Sequence, residues 1–236
     1  MLIDTYNYPD EDGVKVSAKQ GCRFAKEVAG DFNPIHDAEA RRFCVPGDLL
    51  VAMVLRRQGL VPQMRVRFRG MVGADVPLVF QDDSSEQVRM TDAQGRTFVE
   101  VEQAGTPIKD PERIDAFTRQ YSAFSGRTFP ELLEPLLREH GVMFNPDRPL
   151  VFYDSVNLTL DATPGTSPEL SLADSELEVA GRRADAHLTF TITNGGRTIG
   201  RGTKTAVVSG LQAWDEARMQ DVLARYRARC EQHATG

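Results

Sequence analysis

The stretch AGDFNPIHD, Ala29 to Asp37, places a carboxylate at Asp31 and an imidazole at His36, with an amide and a proline between them. An acid and an imidazole facing one water molecule can deliver a proton and a hydroxyl to the same face of a double bond. The same atoms have a plainer use. Asn33-Pro34 is a good helix start, with Asn33 as the N-cap and Pro34 as the first helical residue. Asp31 would then add a favourable charge near the helix N-terminus, and His36 would be a solvated side chain. Under both readings the backbone bends here, because Pro34 holds Asn33 out of the right-handed helical region and Gly30 permits a sharp entry.

The elements around the stretch decide whether its two sides can meet. GVKVSAKQ reads as a short alternating piece and GCRFAKEVA as a helix that Gly30 ends. After Pro46-Gly47, DLLVAMVLRRQGLV is apolar and free of internal breakers, which predicts a buried helix closed by Gly59. Arg56 and Arg57 fall in its last turns, where cations suit the helix dipole. QMRVRFRGMV then alternates, with Arg65, Arg67 and Arg69 on one face and Val66 and Phe68 on the other. VPLVFQ, EQVRMTD and RTFVEVEQAG complete an antiparallel meander.

The second half runs in a similar order: two helical stretches, DPERIDAFTRQYSAFSG and FPELLEPLLREHG, the latter with an expected break or kink at Pro135. Four strand-like runs follow, the last pair joined by a Gly195-Gly196 turn, and AWDEARMQDVLARYRARCEQ closes as an amphipathic helix. Helix followed by four strands, twice, predicts a duplicated unit, residues 1–105 and 106–236, with a linker near Gly105 to Arg113. No repeat is visible residue by residue.

Composition excludes several classes. The chain has 236 residues, 41% hydrophobic and 26% charged, which suits a globular protein with a real core. Its net charge of -6 gives no electrostatic reason to expect nucleic acid or an anionic membrane as a partner. Cys22, Cys44 and Cys230 are too scattered for a metal site and too few for a disulfide framework, which fits a reducing compartment. The N-terminus has neither a basic start nor an apolar run, and no stretch reaches the ~18 apolar residues of a membrane span. A cytoplasmic protein is the expectation.

AGDFNPIHDAEA resembles the hydratase motif of the MaoC-like dehydratases, the hot-dog-fold (R)-specific enoyl-CoA hydratases. The likeness continues through PGDLLVAMVL, where that family opens its long buried helix with a glycine, and VRFRGMVGADVPL, a strand and turn. It spans roughly residues 12 to 105, and the second half fits a hot-dog by strand order. The resemblance implies an α+β double hot-dog, each buried helix wrapped by an antiparallel sheet and the two sheets joined side by side.

It also implies roles. Asp31 and His36 would be the catalytic pair, activating the water that adds to an enoyl thioester or leaves it. Asn33 would brace the loop or contact the pair, and the N–H of Gly47 would hold the thioester oxygen as it gains charge. A helix N-terminus suits that last role, because its free N–H groups and positive dipole favour an anion. The substrate would be an acyl-coenzyme A or acyl-carrier thioester, with no separate cofactor and no metal. The chain would be a monomeric pseudo-dimer or a homodimer.

The sequence departs from the family in three places. Ten residues separate His36 from Gly47, a shorter loop than usual. The family's HGM is here Pro46-Gly47-Asp48, and a carboxylate at Asp48 favours the helix start while repelling a developing enolate. The second half holds no copy of the motif, since His140 and His187 lack a matching acid and proline. Two alternatives follow: an acyl-thioester-binding protein without catalysis, and a hot-dog thioesterase in which Asp48 activates water.

Other candidates carry blander readings. Arg65, Arg67 and Arg69 could grip coenzyme A phosphates or form a solvated strand face. Asp31, His36 and Asp37 lack a further spaced ligand for a metal. GGRTIGRG follows a strand turn without opening a helix, unlike a phosphate loop. Cys44 has no paired histidine and reads as a core residue.

Overall fold

The computed structural model describes residues 1–11 and 13–234. A small hairpin, β1 (Tyr8–Asp10) and β2 (Gly13–Lys15), leads into α1 (Ala18–Phe24). Ser17 begins α1 with a capping box: its side chain accepts from the Gln20 N–H, and the Gln20 side chain accepts from the Ser17 N–H. The helix therefore starts three residues before the stretch GCRFAKEVA. One wide turn, Ala25–Ala29, follows, and Gly30 stops it with φ +69°.

The chain then passes through the motif into α2 (Gly47–Gln58), where every residue from Asp48 to Leu55 is buried. A helix apolar on all sides must be enclosed on all sides, and α2 is the centre of the larger core. Gly59 ends it at φ +88°, where Ile108 O would obstruct any side chain. Four strands follow: β3 (Gln63–Phe68), β4 (Val79–Asp82), β5 (Gln87–Thr91) and β6 (Thr97–Ala104).

The second half opens with α3 (Pro111–Gly126), capped by the Asp110 side chain, which accepts from the N–H groups of Glu112 and Arg113. A distorted turn then leads to α4 (Leu133–Glu139) and the short β7 (Val142–Met143). The break expected at Pro135 lies elsewhere. Phe129 is the non-helical residue, at φ −123° and ψ 130°. Pro135 sits in the first turn of α4, where a missing N–H loses no intrahelical bond. Four long strands follow, β8 (Leu150–Leu160), β9 (Pro168–Ala180), β10 (Arg183–Asn194) and β11 (Arg197–Ser209), then β12 (Gln212–Ala213) and α5 (Glu216–Ala234).

Eight strands form one antiparallel sheet in the order β4-β5-β6-β3-β8-β11-β10-β9. Read outward from the β3–β8 junction, each half presents its first, fourth, third and second strand. The junction is antiparallel, with Val66 opposite Val156. Helices α2 and α3 pack together, and their buried residues share one core with the inner face of the sheet. This is the α+β double hot-dog expected, with the two sheets joined side by side. A smaller core gathers α4, the start of α5 and the outer strands of the second half.

Candidate functional site

Gly30 turns the chain, and Asp31 immediately ties the bend down: its side chain accepts the Asn33 N–H at 2.8 Å. Asn33, extended at φ −61° and ψ 124°, caps the single turn Pro34–His36 by accepting the Ile35 N–H at 3.2 Å. The capping reading of Asn33-Pro34 is thus realised, although in a 3-10 turn and not a long helix. It does not compete with the other reading, because the cap is what turns Asp31 and His36 toward each other. His36 is buried rather than solvated, and its Nε2 faces Asp31 Oδ2 at 3.6 Å.

The histidine is oriented from its far side. Nδ1 lies 2.7 Å from the carbonyl oxygen of Cys44. A carbonyl only accepts, so Nδ1 carries the proton and donates it, leaving Nε2 with a lone pair when the ring is neutral. Separated by 3.6 Å, Nε2 and Oδ2 do not hydrogen-bond directly. Their side chains keep 11% and 17% of their surface exposed, so the pair sits at the edge of the interior. Burial pushes the Asp31 carboxyl above the ordinary range; His36 and Lys204 oppose that rise and the Asp48 charge adds to it. Cys44 serves through its backbone, and burial pushes its thiol up to about 11, far from a thiolate nucleophile at neutral pH.

The start of α2 lies beside the pair. Leu49 and Leu50 donate to Pro46 O, while the N–H of Gly47 precedes the first intrahelical bonds. A side chain at residue 47 would crowd the rings of Tyr153 and Phe68.

Asp48 corrects the expectation of an unopposed charge. It is 2% exposed, its Oδ1 is 2.9 Å from the ammonium of Lys204, and its Oδ2 accepts from Ser125 Oγ at 2.5 Å. Lys204 is fully buried and also donates to Ser125 Oγ, and its Nζ lies 3.2 Å from the centroid of the Tyr153 ring. Burial pulls the Lys204 pKa down and Asp48 holds it up. Asp48 is therefore a buried, paired carboxylate, with Lys204 on one oxygen and Ser125 on the other.

The second half supplies most of this enclosure. Gly126, at the end of α3, is so close to the motif that a Cβ there would land on the carbonyl of Ala29. From α5, Tyr226 OH accepts the Phe32 N–H at 3.3 Å, and Phe32 packs edge-on between Tyr226 and His233. Asp37 is held by Arg229 at 2.7 Å and Lys26 at 3.0 Å, which keep its carboxyl low against the opposing effect of burial. Among the described residues, no group of three or more His, Cys, Asp or Glu side chains is placed to hold a metal ion.

Two other sequence candidates are placed as structure. Arg67 of β3 pairs with Glu102 at 3.2 Å, and Arg69, just past β3, pairs with Glu100 at 2.7 Å, both partners on β6. His140 Nδ1 donates to Leu136 O at the end of α4, and His187 lies beside Thr205 on the outer face. No helix among the described residues is long and apolar enough to cross a membrane.

Lys204, Ser125 and Tyr153 are the site-building residues that the motif does not reveal. Lys204 had a signal. In TKTAVVSG the alternation that places Ala206 and Val208 inward also places Lys204 inward, a charge where an apolar residue belongs. Ser125 and Tyr153 had none, being ordinary residues of a helix and a strand.

Residues 1–217 match the model of a family described as a protein of unknown function, DUF3581, and the chain belongs to that family. No curated protein matches it. Solved structures of similar trace include a conserved hot-dog-fold protein of unknown function from Alicyclobacillus acidocaldarius, at 10% identity over 89% of this chain and 98% of that one, TM-score 0.47. A MaoC-like dehydratase is 10% identical over 85% and 97%, TM-score 0.44. An acyl-CoA thioesterase II from Mycobacterium marinum is 12% identical over 92% and 99%, TM-score 0.42.

Proposed function

We propose that this chain adds water across, or removes it from, the 2,3-double bond of an acyl thioester, with Asp31 and His36 as the catalytic pair. The observation that carries this is the orientation of the pair: Nε2 of His36 faces Asp31 Oδ2, and Nδ1 is committed to Cys44 O. In the reactive form the two groups would hold one proton between them, and they reach the same small volume. A water there loses a proton to the group that lacks one while its oxygen bonds to C3. The other group gives its proton to C2. The pair ends with one proton, as it began, and the reaction is redox-neutral.

Charge develops on the thioester oxygen during the addition. The N–H of Gly47 would receive it, backed by the dipole of α2, and one such donor typically contributes ~3 kcal/mol to the barrier. Asn33 then braces the loop through its cap and does not react. The carrier, coenzyme A or a carrier protein, contacts the surface outside the pair, and no nucleic acid or membrane enters the reading.

The test is incubation of the full chain with crotonyl-CoA, following both the conjugated thioester absorbance and free thiol. Loss of absorbance without thiol release is expected. Asp31→Asn and His36→Ala should each slow hydration about 10²- to 10⁴-fold, and the double variant should be little worse, because groups acting as a unit are not additive. Thiol release from the wild type would make the chain a thioesterase. Neither signal would leave a binding protein.

A further inference from the structure

Lys204 is out of place by the rules of its own strand. Cross-strand register puts Val88, Val101, Val66, Val156, Lys204 and Leu188 in one row across six strands, all on the inner face. Each of the other five is apolar and at most 2% exposed. A lysine in such a row is retained at the expense of packing. Its ammonium pairs, among the described residues, with one carboxylate, that of Asp48 on the second residue of α2.

We propose that Lys204 is a positioning residue of the Asp31–His36 site: it cancels the Asp48 charge at the start of α2, so that this helix end stays positive toward the thioester oxygen. The inference rests on the hydration reading for its consequence, and on the ion pair alone for its electrostatics. Asp48 adds a carboxylate next to Gly47, where an anion is to be received. Unopposed, it would offset the helix dipole there. Lys204 at 2.9 Å and Ser125 at 2.5 Å fix that carboxylate between β11 and α3. The ammonium is itself fixed by Ser125 and the Tyr153 ring. The arrangement also places one charge in each half of the chain.

Several ionisable groups surround the pair. Tyr121 of α3 and Tyr153 of β8 have phenols pushed well above their usual range, by burial first and then by Asp48, and so remain neutral. Asp31 is close enough for its charge to act on Lys204, and His36 stands beside it. Tyr226 and Cys230 of α5 are raised by burial and by Asp31, and also stay uncharged at neutral pH. Asp48, Asp31, His36 and Lys204 are therefore the groups whose charge can change the field at the helix start.

The experiment compares the full-length wild type with Lys204→Met, Asp48→Asn and the double variant. Carboxyl-¹³C NMR of Asp48 gives a readout that needs no activity. Without its ammonium, the buried carboxylate should be held less firmly in its charged form, and at neutral pH its ¹³C signal should move toward that of a carboxylic acid relative to the wild type. Crotonyl-CoA hydration gives the second readout. In Lys204→Met, kcat should fall at least about tenfold at neutral pH and less at acidic pH, with KM moving less. Adding Asp48→Asn should remove that fall and recover most of the loss.

An unmoved Asp48 carboxyl signal in a folded Lys204→Met, or a double variant as slow as the single one at every pH, overturns the proposal. If Lys204→Met does not fold, the double variant decides, since it buries no unpaired charge. A double variant that folds and hydrates within about tenfold of the wild type then supports the proposal. One that is slower, or that also fails to fold, rejects it, because Lys204 would then do more than cancel Asp48. A wild type inactive on crotonyl-CoA would count against the hydration reading, while the Asp48 carboxyl signal would still test the electrostatic claim.

Discussion

In the first half of the chain, the buried helix α2 begins at Gly47-Asp48, against the loop that holds Asp31 and His36. In the second half, the helix at the matching place in the order, α3, begins at Asp110-Pro111, an exposed cap with no such loop before it. The contribution of α3 comes from its other end, where Ser125 reaches Asp48 and Gly126 abuts Ala29. Strand β11 adds Lys204, β8 adds Tyr153, and α5 adds Tyr226 and Arg229. The halves share a strand order and divide one site between them. One carries Asp31 and His36, and the other carries the charge and the walls that make their surroundings.

The most severe way to break that division is to separate the halves. A fragment of residues 1–105 loses the β3–β8 pairing and exposes an unpaired strand edge, together with an Asp48 that has lost Lys204 and Ser125. It should aggregate or self-associate. A well-behaved monomeric fragment, seen by analytical ultracentrifugation, would show that the first half does not depend on the second.

A smaller effect comes from touching the contact where the halves meet. Gly126→Ala places a methyl group on the Ala29 carbonyl, and backbone cannot move aside cheaply. The variant should lose about 1–3 kcal/mol in urea denaturation. It should also slow hydration more than its stability loss explains, since Ala29 and Gly30 lead directly into Asp31. An Ala variant with unchanged stability and rate would mean that the two halves meet less tightly than this contact implies.

The finest adjustment is to Asp31 itself. Burial raises its carboxyl pKa in the folded chain above the unfolded value near 3.8. A raised carboxyl favours the fold while protonated, so that stability is fully present below about pH 4 and is lost as pH rises through the raised value. Asp31→Asn does not titrate. Its stability relative to the wild type should therefore grow from about pH 4 upward. At neutral pH the gain should be on the order of 1 kcal/mol for each tenfold by which folding weakens the acid. The same variant should be nearly inactive in hydration. Denaturation curves at pH 4 and pH 7 check this, and a difference that does not change with pH would remove burial as the cause.

Much of the molecule is legible in its sequence. The alternation of QMRVRFRG, the unbroken apolar run after Gly47 and the Gly195-Gly196 turn each specify an element through local chemistry, and each appears where expected. So does the cap at Asn33, because the hydrogen bonds of Asn33 and Asp31 reach only two residues along the chain. Helix α1 starts three residues earlier than its apolar positions indicate, since the Ser17–Gln20 capping box precedes them. The helix is unbroken at Pro135 because that proline falls in a first turn, and a proline there and one in a helix interior look alike in sequence.

What the sequence by itself determined are the features whose partners lie a few residues apart: the bend of the motif, the cap at Asn33, and the order of helices and strands. What only the tertiary structure decided are features with partners far along the chain. Asp48 reads as a bare charge in sequence because Lys204 is 156 residues away. Cys44 O fixes the His36 ring, Gly126 fits against Ala29, and α5 seats Phe32, and none of these follows from spacing. Local hydrogen bonds and side-chain periodicity are written in neighbouring residues, whereas the burial and compensation of a charge depend on which distant strand passes over it.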